Sequence, residues 1–420
     1  MIYLRTMNHL RSKTFALFAK PHHANNHLLV EGIARFAQAH PHYRFKLITP
    51  EMLPKTRVKG LFDGIICQIR NRTLDALADE AGLPLVDVRN SQASGRASVV
   101  DSDNLAVGAL AADYFLGRRF TNFAFFGYRG TPYSVQRKEG FVRRLAQAGR
   151  AAAAYEADTT RWPSSKSWSL PGFDESSIRD GSQLQRFLRK LPKSTAVFCC
   201  HDPRALAVLE TCRNAGLAIP QDVAVLGVDN DSIYGAFSQP RLSSIDPATE
   251  EIGFRAAQEM AEQAETAPSR RRRHVILIPP KEVVTRESTE CYPLDPGWLS
   301  DALVFIRRNA TKGISAADVF AALGKSHTLV QEAFRMVLRS SVQREIIAVR
   351  MEEAKRLLSD GDRPVSEVAR ACGFSSLHYF SQAFTSHTGS SPSEYRAADK
   401  RMTVAKRNPR QGFSSASLRK

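Results

Sequence analysis

The stretch Pro364-Val-Ser-Glu-Val-Ala-Arg-Ala-Cys-Gly-Phe-Ser-Ser-Leu-His-Tyr-Phe-Ser-Gln-Ala-Phe384 decides how the carboxyl-terminal third of the chain folds. Apolar residues repeat at helical spacing on both sides of Gly373, which permits a tight turn. The pattern predicts two short helices in a helix-turn-helix. One face of the second helix carries no core residue, and a recognition helix presents such a face to base edges in the major groove. The candidate DNA contacts on that face are His378, Ser381 and Gln382.

A second stretch of the same kind lies upstream, from Gly313 to Phe334. It precedes a helical pattern that includes Arg350–Leu358, and the region closes with Gly389-Ser-Ser-Pro-Ser-Glu-Tyr-Arg396. This order resembles the AraC family, in which one long helix joins two helix-turn-helix units and a Gly-x-x-Pro-x-x-Tyr-Arg segment follows. The resemblance runs from about Trp298 to Arg396. The candidate DNA contacts in the upstream unit are His327, Thr328, Gln331 and Glu332.

A packed helical pair is the alternative for either unit alone, because apolar residues at helical spacing more often indicate a core than a DNA-binding element. Two copies, a bridging helix and the closing motif together favour DNA binding. The upstream unit departs from the family pattern at Val319-Phe320, where a Leu-Ala pair is common, and at Lys325 beside the turn glycine. The downstream unit therefore matches the family more closely.

The charge of the chain agrees with a nucleic-acid partner. It has 59 Lys and Arg against 42 Asp and Glu, a net charge of +17, and a basic balance attracts phosphate. A membrane surface would also attract it, but the sequence has no run of about 18 apolar residues, as a membrane span would need. The apolar stretch Thr14–Ala19 is short and lacks an export cleavage site, so it predicts a buried strand. We expect a cytoplasmic protein with no membrane partner.

Six cysteines in 420 residues are too few for a disulfide framework and lack metal-ligand spacing. We expect reduced structural thiols, with a redox sensor as the alternative, and neither a metal nor a cofactor. The common motifs of nucleotide-binding, serine-hydrolase and zinc-protease sites are absent, so an enzyme is not expected. A transport-associated binding protein would fit the first 290 residues, but the missing export signal and the DNA-binding pattern argue against it.

The first 290 residues predict an α/β fold. Short apolar runs alternate with helical patterns, which indicates parallel sheets covered by helices on both faces. Ligands of such folds bind beyond the carboxyl ends of the strands. The predicted strands are Phe15–Ala19, Phe45–Ile48, Gly64–Cys67, Leu85–Val88, Asn122–Phe126, Ala196–Cys200 and Val223–Val228.

Two stretches, Ser98–Gly127 and Ala196–Asn230, resemble the sensor domain of the LacI family. That domain is similar to a periplasmic sugar-binding protein, with two α/β lobes and a ligand cleft between them. The resemblance covers roughly Phe15 to Ser288. The amino-terminal DNA-binding helices usual in that family are missing, and the chain carries the AraC-type module at its other end. The expected fold class is therefore a two-lobed periplasmic-binding-protein-like α/β domain followed by an all-α tandem helix-turn-helix domain.

Candidate ligand residues follow from the chemistry of a sugar, whose hydroxyls both donate and accept hydrogen bonds. Such a site needs carboxylates or amides that accept and a guanidinium that donates. The residues that meet this need at predicted strand ends, and that match ligand positions in the sensor family, are Asp103, Arg137, Asp202 and Asp229. An Asp or Asn before a helix is more often a cap, and we assign that role to Asn104 and Asn230. His201 replaces a position that is often Asn in the family.

The expected domains are a sensor at residues 1–288, a linker at 289–297, a DNA-binding domain at 298–398 and a basic tail without fixed structure at 399–420. The expected partners are double-stranded operator DNA, a small sugar effector and a second copy of the chain. RNA polymerase is a further candidate partner. The resemblance favours a pentose such as D-xylose and favours activation. The alternatives are another sugar or small polar ligand, and repression.

Overall fold

The computed structural model describes residues 12–19, 24–48, 60–68, 72–88, 97–158, 175–294, 297–359 and 363–398. The chain divides into two compact units, one ending at Glu290 and the other beginning at Cys291. This division lies inside the stretch 289–297 that we predicted as a linker. The predicted tail at 399–420 lies outside the described residues.

The first unit contains two six-stranded sheets, each the centre of one lobe. The sheet of lobe 1 has the order β11-β5-β4-β3-β1-β2, and all its neighbours are parallel. Its strands are β1 (Lys13–Phe18), β2 (Tyr43–Ile48), β3 (Gly64–Cys67), β4 (Leu85–Asp87), β5 (Ser98–Ser102) and β11 (Val275–Ile278). The runs β1, β3, β4 and β5 are buried, as strands covered on both faces should be.

The sheet of lobe 2 has the order β12-β10-β9-β8-β6-β7 and is parallel except for the antiparallel edge strand β12. Its strands are β6 (Asn122–Arg129), β7 (Ala152–Asp158), β8 (Thr195–Cys199), β9 (Val223–Val228), β10 (Ser243–Ile245) and β12 (Val283–Val284). The helices of the unit are α1 (Ala24–Ala39), α2 (Arg72–Ala81), α3 (Asn104–Gly117), α4 (Pro132–Gln147), α5 (Glu175–Lys190), α6 (Asp202–Ala215), α7 (Ser232–Phe237) and α8 (Thr249–Glu265). The predicted α/β class is confirmed.

The described chain passes between the lobes repeatedly. It leaves lobe 1 after β5, returns after β10 to build α8 and β11, and then leaves again to form β12. α8 packs against α1 in the core of lobe 1, where Met260 and Ala257 are fully buried beside Ile33. Each lobe is therefore assembled from segments that are distant in sequence.

The first helix of lobe 2, α3, crosses α4 at very short range. A Cβ atom at Gly108 would collide with the carbonyl oxygen of Arg137, and one at Gly140 would collide with the carbonyl oxygen of Leu105. Glycine is required at both positions because the two backbones approach too closely for a side chain. This crossing holds Arg137 of α4 beside Asn104, the first residue of α3.

The second unit is all-helical. Its helices are α9 (Trp298–Asn309), α10 (Ala316–Leu323), α11 (His327–Ala333), α12 (Val342–Ser359), α13 (Val365–Ala371) and α14 (Leu377–Thr388). A π-helical turn, Phe334–Leu338, continues α11. The pairs α10/α11 and α13/α14 are the two predicted helix-turn-helix units, and α12 joins them. Gly324 and Gly373 both have positive φ at the turns.

The two helix-turn-helix units have separate hydrophobic cores. The first core joins α9, α10 and α11 to the amino-terminal half of α12 through Val342 and Ile346. The second joins α13 and α14 to the carboxyl-terminal half of α12 through Met351 and Leu358. No helix among the described residues is both long and apolar enough to cross a membrane.

Candidate functional site

A cleft lies between the two lobes of the first unit, beyond the carboxyl ends of β3, β4, β5, β8 and β9. It encloses about 650 Å³ that protein atoms do not occupy, including space open to solvent. Its polar lining is Gln68, Asp101, Ser102, Asn104, Tyr133, Arg137, His201, Asp229 and Thr249, and its apolar lining is Leu29, Val88, Pro247 and Ile252.

Arg137 is held at the cleft by hydrogen bonds to two other elements of lobe 2. Its Nε donates to the side-chain oxygen of Asn104 at 2.8 Å, and one Nη donates to the carbonyl oxygen of Cys200 at 2.5 Å. The guanidinium lies 5.2 Å from the ring centre of Tyr133. The side chain is 6% exposed, so its charge faces the cleft in a largely desolvated setting. Such a fixed guanidinium is suited to donate to ligand oxygens.

The structure places Asp103 and Asn104 differently from our prediction. The carboxylate of Asp103 caps α3, accepting from the backbone N–H of Ala106 at 2.9 Å, and it is not among the side chains that line the cleft. Asn104, predicted as a cap, lines the cleft and is 3% exposed. The physical reason is that the residue just before a helix can accept from the free N–H groups of the first turn, as Asp103 does. The side chain of Asn104, the first residue of the helix, points away from those groups.

Asp229 lies at the surface of the cleft, and Asp202 is buried in lobe 2 behind it. Asp229 lines the cleft, whereas Asp202 is 1% exposed and lies beneath it. The carboxylate of Asp202 accepts from the Ser244 hydroxyl at 2.6 Å and from the Asp231 backbone N–H at 2.9 Å. Burial, reinforced by the negative charge of Asp229, raises the pKa of Asp202 well above its usual range. Asp202 thus supports the cleft from below.

The backbone around Asp229 is strained. Asp229 has φ +115° and Asn230 has φ +48°, both unusual for residues with a side chain. The backbone N–H groups of both residues are hydrogen-bonded: that of Asp229 donates to the Ile245 carbonyl oxygen, and that of Asn230 donates to the Ser244 hydroxyl oxygen. Asn230 does not cap a helix; its oxygen accepts from Arg286 at 2.7 Å. Strain that the surroundings hold in place is typical of binding sites.

Sequence reasoning missed the contribution of lobe 1. Gln68 and Asp101 are buried at the cleft, and Asp101 accepts from the Ser102 N–H at 2.8 Å. Both stand at the carboxyl ends of strands, which is the signal that could have found them. His201 lines the cleft and also caps α6, accepting from the Arg204 N–H at 3.2 Å.

The two recognition helices carry most of their predicted contacts on open surface. In α11, His327, Thr328 and Glu332 are exposed and Gln331 is half-buried. In α14, His378 and Gln382 are exposed and Ser381 is half-buried. The His327 ring meets the edge of Phe320 in α10, with 4.6 Å between ring centres. These residues remain candidate DNA contacts.

Exposed apolar residues also lie on these helices, and the sequence pattern had placed one of them, Leu377, on the open face of α14. Leu329 and Tyr379, each three residues after the serine that caps its helix, are 47% and 44% exposed, and Leu377 is 47% exposed. The caps Ser326 and Ser376 accept from the N–H groups of Leu329 and Tyr379. Apolar groups at the start of a recognition helix can contact thymine methyl groups.

All six cysteines are buried, and none is in a disulfide. Burial raises the pKa of Cys200 to about 12 and that of Cys212 to about 12, so the reactive thiolate form is disfavoured. This argues against the redox-sensor alternative. Within the part of the chain that the structure describes, no three His, Cys, Asp or Glu side chains converge as metal ligands.

Two family models match the chain. The model of the periplasmic binding protein-like domain matches residues 112–289, and that of a helix-turn-helix domain matches residues 319–398. The protein thus joins a periplasmic-binding-protein-like sensor to an AraC-type DNA-binding module. With the cleft and the paired recognition helices, this defines a DNA-binding transcription regulator.

The chain is similar over most of its length to the xylose operon regulatory protein of Escherichia coli K12. The two are 25% identical over 379 residues, which covers 88% of this chain and 93% of the relative. The Haemophilus influenzae protein of the same name is 24% identical over 382 residues, covering 88% and 94%. The solved structure of a xylose-binding transcription activator covers 92% of this chain and 98% of its own, with a TM-score of 0.56 and 22% identity, which shows a shared fold.

Proposed function

We propose that the protein is a sugar-responsive transcription activator of a pentose catabolic operon, with D-xylose as its effector. The observation that carries the proposal is the meeting of Arg137, Asn104 and Asp229 at one cleft. A guanidinium donates, a carboxylate accepts and an amide can do both, which matches the paired donors and acceptors of sugar hydroxyls. The relatives that match most of the chain are xylose regulators by name, which favours a pentose over other polyols.

The proposed mechanism is a shift between open and closed forms of the cleft. Lobe 1 supplies Gln68 and Asp101, and lobe 2 supplies Arg137 and Asp229, so a ligand that touches both lobes favours the closed form. Only such differential affinity can move the equilibrium. The protein would act as a homodimer in the cytoplasm, where closure changes how two DNA-binding modules fit paired operator half-sites. RNA polymerase would be the partner in activation.

A regulator of the same architecture that senses another sugar or small polar ligand, or that represses, is the second candidate. The apolar residues that line the cleft, Leu29, Val88 and Ile252, bear on this choice because they can pack against the C–H groups of a ligand. They favour a ligand with an apolar face, such as a pentopyranose, over a small ligand that is polar all round.

Isothermal titration of the full-length protein tests the proposal. The panel contains D-xylose, L-arabinose, D-ribose and D-glucose, and any binding is repeated on Asp229→Asn. Loss of a hydrogen bond to a charged group costs about 1.5–3 kcal/mol, so we expect the variant to bind at least about tenfold more weakly. The control is Asp222→Asn, whose carboxylate pairs with Ala218 and Lys193 away from the cleft. D-Xylose binding that is equal in both variants would contradict the cleft.

A second measurement tests the DNA arm. Operator sequences are selected from a random library with full-length protein, with and without D-xylose, and affinities are compared on the selected sequence. We expect a ligand-dependent change in operator affinity. A sugar that binds but leaves the affinity and the transcription of a reporter unchanged would contradict the switch.

A further inference from the structure

Arg350 stands on α12 at the boundary between the two helix-turn-helix cores. Val342 and Ile346, earlier on the helix, belong to the first core, and Met351 and Ala354 belong to the second. Its side chain is 6% exposed, which is unusual for an arginine in a domain of this size. A buried cation of this kind requires partners that offset its lost hydration.

The partners of Arg350 come from both helix-turn-helix units. Its Nε donates to the carbonyl oxygen of Ala310 at 2.8 Å, and an Nη donates to the carbonyl oxygen of Ile314 at 2.8 Å. Both carbonyls belong to the turn that leads into α10, in the first helix-turn-helix unit. The guanidinium carbon also lies 5.2 Å from the ring centre of Phe374, which follows the turn of the second helix-turn-helix unit. One side chain therefore contacts elements of both hydrophobic cores.

Phe374 connects this contact to the second recognition helix. Its ring packs against Phe380 at 5.3 Å and against Tyr379 at 5.8 Å, and both residues belong to α14. The backbone adds a second contact, because a Cβ at Gly373 would lie 2.7 Å from the Thr311 carbonyl oxygen and 2.9 Å from that of Ala310. The turns of the two helix-turn-helix units therefore touch at the segment whose carbonyl oxygens accept hydrogen bonds from Arg350.

We propose that Arg350 is a positioning residue that fixes the separation and rotation of α11 and α14, and so the spacing of the two DNA segments that they read. The proposal rests on the DNA-binding function. α12 alone gives one covalent connection between the cores, and a single helix can bend and twist. The fork of Arg350, bound to two carbonyl oxygens of the first helix-turn-helix unit and lying over the Phe374 ring of the second, adds a side-chain connection to the contact between the two turns, and such further connections are what a fixed angle requires.

The test uses the operator selected with the full-length protein and a series in which zero, one or two base pairs are inserted or removed between the two contacted segments. For the wild type we expect each change of spacing to weaken binding by more than about tenfold, whereas Arg350→Met should reduce this penalty to within about threefold. Arg344→Met is the control, because Arg344 is exposed on the same helix. Loss of a phosphate contact there would weaken binding equally at every spacing.

A second variant and a distance measurement in the free protein complete the test. Arg350→Lys keeps the charge but cannot form the same fork, so it decides the result if Arg350→Met does not fold. In free protein, pulsed electron resonance between labels at Arg335→Cys and Ser386→Cys should give a broader distance distribution in Arg350→Lys than in the wild type. Parallel spacing profiles and equal distance distributions would overturn the proposal. Absence of any selected operator would instead contradict the DNA-binding function, while the distance measurement would still test Arg350.

Discussion

Arg137 in α4 donates a 2.8 Å hydrogen bond from Nε to the side-chain oxygen of Asn104, the first residue of α3. The bond joins two helices of lobe 2 at the point where the chain has just left lobe 1. It also fixes the orientation of both polar groups at the cleft before any ligand arrives. Fixed groups lose less entropy on binding, which favours affinity.

The different positions of Asp103 and Asn104 give a paired prediction. Asp103→Ala should lower the free energy of unfolding by about 0.5–2 kcal/mol through loss of the cap, with ligand affinity nearly unchanged. Asn104→Ala should weaken ligand binding by at least about tenfold, because it removes a buried polar group and loosens Arg137. Titration calorimetry and urea unfolding measure the two effects. If Asp103→Ala instead abolished binding, the cap assignment would be wrong.

The crossing of α3 and α4 predicts opposite effects for two glycines of one helix. Gly108→Ala should destabilise the protein by about 1–3 kcal/mol, since the added methyl group forces the helices apart. Gly117→Ala meets no atom within 4 Å and should be neutral or stabilising by up to about 1 kcal/mol. Urea unfolding followed by circular dichroism compares the two variants. Similar stabilities would mean that the helices do not approach so closely.

The raised pKa of Asp202 predicts how stability depends on pH. A carboxyl group whose pKa is higher in the folded state favours folding below the unfolded value of about 3.9, and that contribution is lost as the pH rises toward the folded value. The wild type should therefore lose stability relative to Asp202→Asn as the pH increases from 4 upward. Urea midpoints across pH 4–8 measure the difference. A difference that stays constant with pH would show that Asp202 has an ordinary pKa.

Gln382 is the exposed residue of α14 whose chemistry is best suited to a base edge. Gln382→Ala should weaken operator binding by about 1–3 kcal/mol and relax the sequence preference at one position, since glutamine pairs with adenine. His387→Ala is the control, because His387 lies toward Lys355 and Glu352 of α12. Fluorescence anisotropy on single-base variants of the operator reads both effects. A uniform loss at every position would assign Gln382 to phosphate instead.

Much of this architecture was predictable because its patterns are local. The strands β1, β3, β4, β8 and β9 consist mostly of apolar residues, and both helix-turn-helix units have their turn glycine at the expected place. Other strands were missed for a physical reason. β5 ends in Ser and Asp residues, and β11 alternates exposed and half-buried positions at a sheet edge, so neither has the signal of a buried strand.

The cleft was harder to predict than the fold. Arg137 and Asp229 lie at the cleft, where the strand-end rule placed them. The rule also placed Asp103 there, but the residue at the cleft is its neighbour Asn104. That difference of one residue depends on the helical rotation at the first turn, which local sequence does not specify. Burial of Asp202 depends on Ser244 and Asp231, which approach it only in the folded lobe. Long-range packing, which no short motif encodes, determines such details.

The return of α8 and β11 to lobe 1 has a consequence for synthesis. Strands β1 to β5 are complete once residue 102 has been made, yet their edge partner begins at Val275. At about 5–20 residues per second, the ribosome needs on the order of 10–35 s to supply it. During that interval the open edge of β5 and the α8-binding face of α1 have no intramolecular cover. The first part of the sensor to emerge is therefore among the last to finish folding, and it is the part for which chaperones would matter most.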